Sequence, residues 1–489
     1  MTRTRWSAAL CIVTLLGLAI RIAMMKQGLF GDELFTFEIA THSSLGDVIS
    51  GVRSDLEVSP PLYNILAWGT HWLADPTVSI RFPSLVAGTA LIPVVYALGV
   101  AARNRYAGLL AAVLFSLSPF ATFYAVEARP YSLMMLLLAL STLVLLKATE
   151  EEGQTGWWAA FTLLTTLAMY THYTASFVIV GQGLWLLAFR RRFIGSLLLA
   201  WVVSALLFVP WLPELVNDRR APGSSIISWF SPFTVSAVWG GFVRLLLGAP
   251  FSLPVKVPGR FALALDALAL MLALVGAGLA AFRGQRLRVS ESFALVTFTA
   301  FATPLGLLLY GVLLPSIYSQ RNLAASLPAL LALAAAGICA LPKRFAVASA
   351  SLLVVGFVAG AVASLAPANA RPNFRAVAAL VDRRSPNDVL LDYSGFGDSG
   401  PPERQLQVAL KKPRVSVFVQ LSASGANYDL KAAAMAHARS GHIILVMPAM
   451  SRIEKPRIIP GFHLVYQRSF DGLVLLVVFI YAEDAPLSG

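Results

Sequence analysis

The amino-acid sequence predicts a polytopic α-helical membrane protein that ends in a small α/β domain. Three observations carry that reading. Of 489 residues, 57% are hydrophobic and only 13% are charged, whereas soluble domains carry about 25% charged residues. Mean hydropathy is +0.72. Apolar runs close to the ~20 residues that cross a bilayer recur along the first three quarters of the chain. After residue 366 the pattern changes to short alternating and helical segments.

The formal charge is +13. The basic residues are scattered between apolar runs rather than clustered, which argues against nucleic acid and for inner-face loops of a membrane protein. Cys11 and Cys339 lie in apolar runs and form neither a disulfide framework nor a ligand spacing. The N-terminus "MTRTRWSAALCIVTLLGLAIRIAMM" has the outline of a signal peptide. More spans follow it, so an uncleaved first helix is the expectation.

Eleven spans are predicted, at 6–26, 79–100, 106–124, 131–147, 156–171, 173–189, 193–212, 260–282, 292–314, 322–341 and 345–366. One set of loops carries Arg3, Arg5, Arg103, Arg105, Lys147, Arg190, Arg191, Arg192, Arg283, Arg286, Arg288, Lys343 and Arg344. The positive-inside rule makes that side the cytoplasm. The acidic "TEEEGQTG" at 149–156 is an exception of little weight, because acids count little in this rule. The outer side receives the 27–78 loop, the "YAVEARP" and "LPSIYSQR" turns, the 213–259 segment and the tail. The domains expected are therefore 1–366, membrane-embedded with the 27–78 loop, and 367–489, extracytoplasmic. In the tail "DVLLDY", "RVSVFV", "HIILVMP", "FHLVYQRSF" and "GLVLLVVFI" read as strands. "FRAVAALVDRR" and "DLKAAAMAHARS" read as helices, and "SFDGLV" as an Asp-Gly hairpin. High Ala and Arg content without eukaryotic retention signals points to a bacterial inner membrane.

The polar residues of the outer face are the candidates for chemistry, because ionisable groups at span ends are functional-site hypotheses by default. "GLFGDELFTFEIA" places Asp32 and Glu33 just beyond the first span, with Glu38, and "DLEVSPPLYN" follows at 55–64. "YAVEARPYSL" supplies Glu127, Arg129 and Tyr131 around Pro130, which suits the first position of a helix. "YTHYTAS" supplies His172 and Tyr173, and "IYSQRN" supplies Arg321. Arg81 sits at the outer end of the second span. Simpler roles stand beside each. Arg81 and Arg321 can snorkel to headgroups, Glu127 and Arg129 can form a structural pair, His172 can pack, and Glu38 and Asp55 can be loop acids.

A carboxylate can take the proton of an attacking hydroxyl. A neighbouring acid can raise its pKa or hold it in place. Arginine forks bind phosphate. Together they suit glycosyl transfer from a lipid-phosphate sugar, with Asp32 as base and arginines on the departing phosphate. A transporter or lipid flippase is the alternative, but its polar sites belong near the midplane on paired broken helices. A non-catalytic envelope-assembly protein is the third reading.

The ordered set of Asp-Glu after the first span, "SPPLYN", "SIRFPSLVAGTALIPVVYALG", "LSPFATFYAVEARPYSLMMLLLALS" and "THYTAS" resembles the C-type glycosyltransferase (GT-C) superfamily. The nearest branch is that of protein O-mannosyltransferases and the bacterial aminoarabinose transferase. "SIYSQRNLAASLPALLALAAAGI" is similar to a late span of that branch, and "RPNFRAVAALVDRRSPNDVLL" to the start of its outer domain. The likeness covers most of residues 20–400. It implies an inverting transferase that uses a polyprenyl-phosphate-linked sugar donor and a glycan, lipid or protein acceptor. It implies Asp32 as catalytic base with Glu33 supporting, Glu127 and Arg129 in the same cavity, and Arg321 as a phosphate contact. Ser59 stands where the branch often has His before the paired prolines, and Val126 where it often has Gln. Those departures bear on the acceptor, not on the catalytic Asp. No obligatory cofactor is expected. A divalent cation on Asp32, Glu33 and Glu127 is the other option, and arginines that neutralise phosphate make it dispensable.

Overall fold

The structure, a computed structural model, describes residues 3–54, 57–150, 155–220, 234–283, 290–394, 405–419, 425–449 and 454–485. The chain divides into two compact units, one of residues 1–25 and 39–364, the other of residues 26–38 and 365–489.

The first unit is helical. Among the described residues, eight helices are long and apolar enough to cross a membrane. They include Tyr131–Ala148, Glu291–Leu313 and Lys343–Leu365. All eleven predicted segments contain helix, but three depart from a simple span. The 106–124 segment is two helices, Arg105–Leu117 and Pro119–Ala125, bent by 63°. The cause is local. Ser118 leaves the helical region at ψ 122°, its hydroxyl accepts the Ala121 N–H, and Pro119 brings no N–H of its own. The 156–171 and 173–189 segments become Thr155–Met169 and Ala175–Phe189. At 15 residues each they extend about 22 Å, short of a hydrocarbon core of about 30 Å. Among the described residues the spans long enough to cross are therefore eight, or nine with the bent pair, rather than the eleven expected.

Small residues let these helices touch. A Cβ on Gly99 would lie 2.7 Å from the Gly108 Cα, so Phe82–Ala102 and Arg105–Leu117 meet backbone to backbone. Asn104 makes their tight joint by accepting the Tyr106 and Ala107 N–H groups. In the last span, Gly356 and Gly360 have the G-x-x-x-G spacing of close helix packing. A Cβ on Gly356 would meet the Asp266 carboxyl of Arg260–Phe282; one on Gly360 would meet Pro258 and Pro119.

The second unit holds a five-stranded sheet, ordered β2-β1-β3-β5-β4. Its strands are β1 Val389–Asp392, β2 Ser416–Phe418, β3 Ile443–Ala449, β4 Phe462–Phe470 and β5 Leu475–Glu483. β1 runs parallel to β2 and β3, while β5 is antiparallel to β3 and β4. Successive residues point to opposite faces, and both faces are covered. Val389, Leu391, Ile443, Leu445 and Phe479 pack with Ala432 and Ala436 of the helix Gly425–Ala438. Leu390, Ile444, Val446 and Ile480 pack with Phe374, Val377 and Val381 of the helix Phe374–Val381. Burial on both faces is why β1, β3 and β5 read as apolar runs, whereas the edge strand β4 is half exposed. The predicted hairpin is the β4–β5 connection.

Candidate functional site

In the helical unit the candidates gather around the turn that precedes Tyr131–Ala148. The Arg129 N–H bonds the Glu127 carbonyl at 2.8 Å, and Pro130 then opens the helix. The Arg129 guanidinium grips Glu57 through two nitrogens, at 2.5 and 3.2 Å. Both side chains are buried. Glu57 also accepts the Ser59 N–H at 3.0 Å, which ties the pair to the start of the "SPP" turn. The Ser84 hydroxyl lies 3.1 Å from the Arg129 carbonyl and 2.8 Å from the Tyr63 hydroxyl. Tyr63 donates to the Ile80 carbonyl. Backbone and guanidinium of Arg129 are thus held from separate elements. Glu57 was not singled out in the sequence. Its only signal is an acid ahead of a paired-proline turn, and its partner is 72 residues away.

Tyr131 is buried between Tyr124, with ring centroids 4.6 Å apart, and His172 at 5.5 Å. His172 lies in the turn between Thr155–Met169 and Ala175–Phe189. Burial, then the charges of Arg129 and Arg321, lower its pKa from the ordinary 6.5 to about 3. The Thr174 N–H donates to His172 Nδ1 at 3.3 Å. That bond assigns the proton of the neutral ring to Nε2. His172 is therefore a neutral group flanked by cations. Arg321, partly exposed, stands in the first turn of the 3₁₀ helix Gln320–Ser326. Glu127 is buried at the same turn as Arg129.

Two candidates have other company. Arg81 is completely buried and donates to the Met25 carbonyl at 2.9 Å, so it does not snorkel to headgroups. Tyr173 donates to Asp218 at 2.7 Å and accepts from the Trp211 indole at 3.1 Å. Burial and then Asp218 raise its pKa well above the tyrosine range.

In the second unit Glu33 is the first residue of the helix Glu33–Ala40 and is completely buried. Its Oε2 accepts the Phe30 N–H at 3.0 Å and an Arg371 nitrogen at 2.7 Å. Gly31 makes the turn between them at φ +54°, a conformation that suits glycine. Arg371 also donates its backbone N–H to Gln27, and Arg375 donates to the Lys26 carbonyl. The segment that carries Asp32 is therefore pinned on both sides, and Asp32 itself stays partly exposed. Arg371 is the second residue missed in the sequence; its partner lies 338 positions away.

Among the described residues no group of three or more His, Cys, Asp or Glu could hold a metal. Glu33, one of the three acids considered for a cation, has an oxygen taken by Arg371 and Phe30.

Residues 58–216 match the dolichyl-phosphate-mannose-protein mannosyltransferase family. None of the curated proteins compared matches the chain. Among solved structures, ArnT from Cupriavidus metallidurans in the apo state is 13% identical with a TM-score of 0.58, covering 98% of each chain. ArnT bound to undecaprenyl phosphate is 12% identical with a TM-score of 0.57 and the same coverage. The Archaeoglobus fulgidus oligosaccharyltransferase tethered with an acceptor peptide is 11% identical with a TM-score of 0.51, covering 91% of this chain and 69% of its own. The chain has the fold of the C-type (GT-C) membrane glycosyltransferases, and its residues 58–216 carry the pattern of the dolichyl-phosphate-mannose-protein mannosyltransferase family.

Proposed function

We propose that the protein is an inverting membrane glycosyltransferase. It moves a sugar from a polyprenyl-phosphate donor to a cell-envelope acceptor on the outer face of a bacterial inner membrane. The observation that carries this reading is the division of labour between two adjacent acids. Glu33 is buried and committed to Arg371, whereas Asp32 is partly exposed on the segment that Glu33 fixes. One acid holds the loop and the other is presented for proton transfer. The likeness to an undecaprenyl-phosphate complex over 98% of the chain supports the donor class.

In the reaction the acceptor hydroxyl oxygen attacks the anomeric carbon as the carbon–phosphate-oxygen bond breaks. Asp32 takes the hydroxyl proton, and the electron pair leaves on the carrier phosphate. A single displacement inverts the anomeric centre. Arg321 meets the developing phosphate charge. Burial, aided by the charges of Arg129 and Arg321, keeps His172 uncharged, so His172 offers an N–H rather than a proton. Tyr131, packed on that ring, keeps it in place. Glu127 is assigned to sugar hydroxyls, while Arg81 and Tyr173 brace the elements that carry the others.

Purified protein in nanodiscs, given a panel of polyprenyl-phosphate sugars, tests the reading. Wild type should bind and turn over one donor. Asp32→Asn should bind the same donor with turnover down by about 10²–10⁴-fold, the usual worth of a general base. Equal turnover by Asp32→Asn, or no donor bound by wild type, would sink the proposal.

A further inference from the structure

The second unit carries a group of cations that its own folding does not use. The helix Phe374–Val381 ends against Arg414, whose guanidinium donates to the carbonyls of Val381, Arg384 and Ser385 at 2.5 to 2.7 Å. That one side chain supplies the donors and positive charge a helix C-terminus calls for. Arg383 and Arg384 follow that helix, Lys411 donates its backbone N–H to Asp382, and Arg384 reaches across to β4, which carries Arg468. Arg384 lies over the Tyr466 ring at 5.4 Å, and Arg468 over the Phe470 ring at 5.2 Å. Tyr466, Arg468 and Phe470 share one face of β4 by strand alternation. Asp382, the acid at this corner, spends its carboxylate on the backbone N–H groups of Lys411 and Lys412. None of the four cationic side chains has an acidic partner among the described residues.

We infer that this corner of the outer domain is a binding surface for a phosphate- or carboxylate-bearing polymer. Guanidinium groups laid on aromatic rings are held with their forks oriented, which suits repeated anionic groups. Among the described residues this face shows no exposed apolar wedge of the kind a membrane-docking patch adds to its charge. Phe470 is 7% exposed and Tyr466 only partly exposed. A water-borne polyanion therefore fits better than a lipid surface. Identification of that polymer as the acceptor rests on the transferase reading; the binding itself does not.

The test uses the full chain in detergent, with labelled linear polyphosphate as the probe and anisotropy as the readout. The variant R383Q/R384Q/K411Q/R468Q should lose at least tenfold in affinity with an unchanged melting temperature. By analogy with other phosphate polymers, the slope of log affinity against log salt should fall by about three. R383K/R384K/R468K, which keeps the charge but loses the stacked forks, should bind more weakly than wild type and more tightly than the four-glutamine variant. R191Q/R192Q/K343Q/R344Q, which removes as much charge elsewhere, should leave it unchanged. Equal losses in the last and first variants would reduce the effect to net charge and overturn the inference. So would full competition by millimolar orthophosphate, which marks a single-phosphate site. Hydrogen exchange in nanodiscs gives a further arm: slowing at residues 379–385 and 464–470 with phosphatidylglycerol and not with polyphosphate would mean a lipid surface instead. Binding intact in a chain inactive with every donor would overturn the transferase reading and leave this one standing.

Discussion

Arg371→Met would leave the Glu33 carboxylate buried without its guanidinium partner. The native pair is 2.7 Å apart, with side chains 1% and 0% exposed. Breaking a buried pair from one side costs about 3–5 kcal/mol, because the remaining charge is uncompensated. The carboxylate has an escape, which is to take up a proton. From an ordinary glutamate pKa of about 4.3, protonation at pH 7 costs about 2.7 units, or about 3.7 kcal/mol. That is a ceiling on the electrostatic part of the loss. At pH 5 the same ceiling is about 1 kcal/mol. The Arg371→Met variant should therefore melt far below wild type at pH 7 and much closer to it at pH 5, measured by thermal unfolding in nanodiscs. Glu33→Gln combined with Arg371→Met should recover most of the loss at pH 7, since neither partner is then a buried charge. An equal loss at both pH values, or a double variant no better than Arg371→Met, would show that Arg371 stabilises by packing and that the charge argument is wrong.

Other expectations follow from single contacts. Glu57→Leu should cost about 3–5 kcal/mol by stranding Arg129, and Glu57→Gln less because one acceptor remains; denaturant or thermal melts rank the two. Gly356→Ala would drive a Cβ into the Asp266 Oδ1. Forcing the two spans apart should cost about 1–3 kcal/mol, and Asp266→Ala should relieve it in the double variant. His172 has a folded pKa lowered to about 3, so below pH 6.5 the unfolded chain binds a proton that the folded one refuses. Stability should fall as pH drops from 6.5 toward 3, and His172→Gln should fall less steeply. For the same reason no inflection near pH 6.5 in a turnover profile should come from His172.

What could be read from the sequence depended on whether the determining interaction was local. The spans follow from run length, and strands β1 to β5 from apolar runs closed by turns, with Asp471-Gly472 marking the last hairpin. The break at Ser118 lay inside an apolar run that hydropathy alone joins, though Pro119 was its visible cause. Run length also overrated the two 15-residue helices, because the turn at His172 cuts a nearly continuous apolar stretch. Charge was harder. A burial-prone acid announces that it needs a partner, since an unpaired one is too costly, but not which arginine supplies it. Glu57 and Arg129 are 72 residues apart, Glu33 and Arg371 are 338. Those choices are made by the fold, and they divide the acids by role. Asp32 and Glu33 are neighbours of the same chemical type, yet one is sealed against an arginine and the other is partly exposed. Sequence alone can nominate the pair. Only the position of Arg371 says which of the two is the brace; that Asp32 is the base belongs to the proposed function.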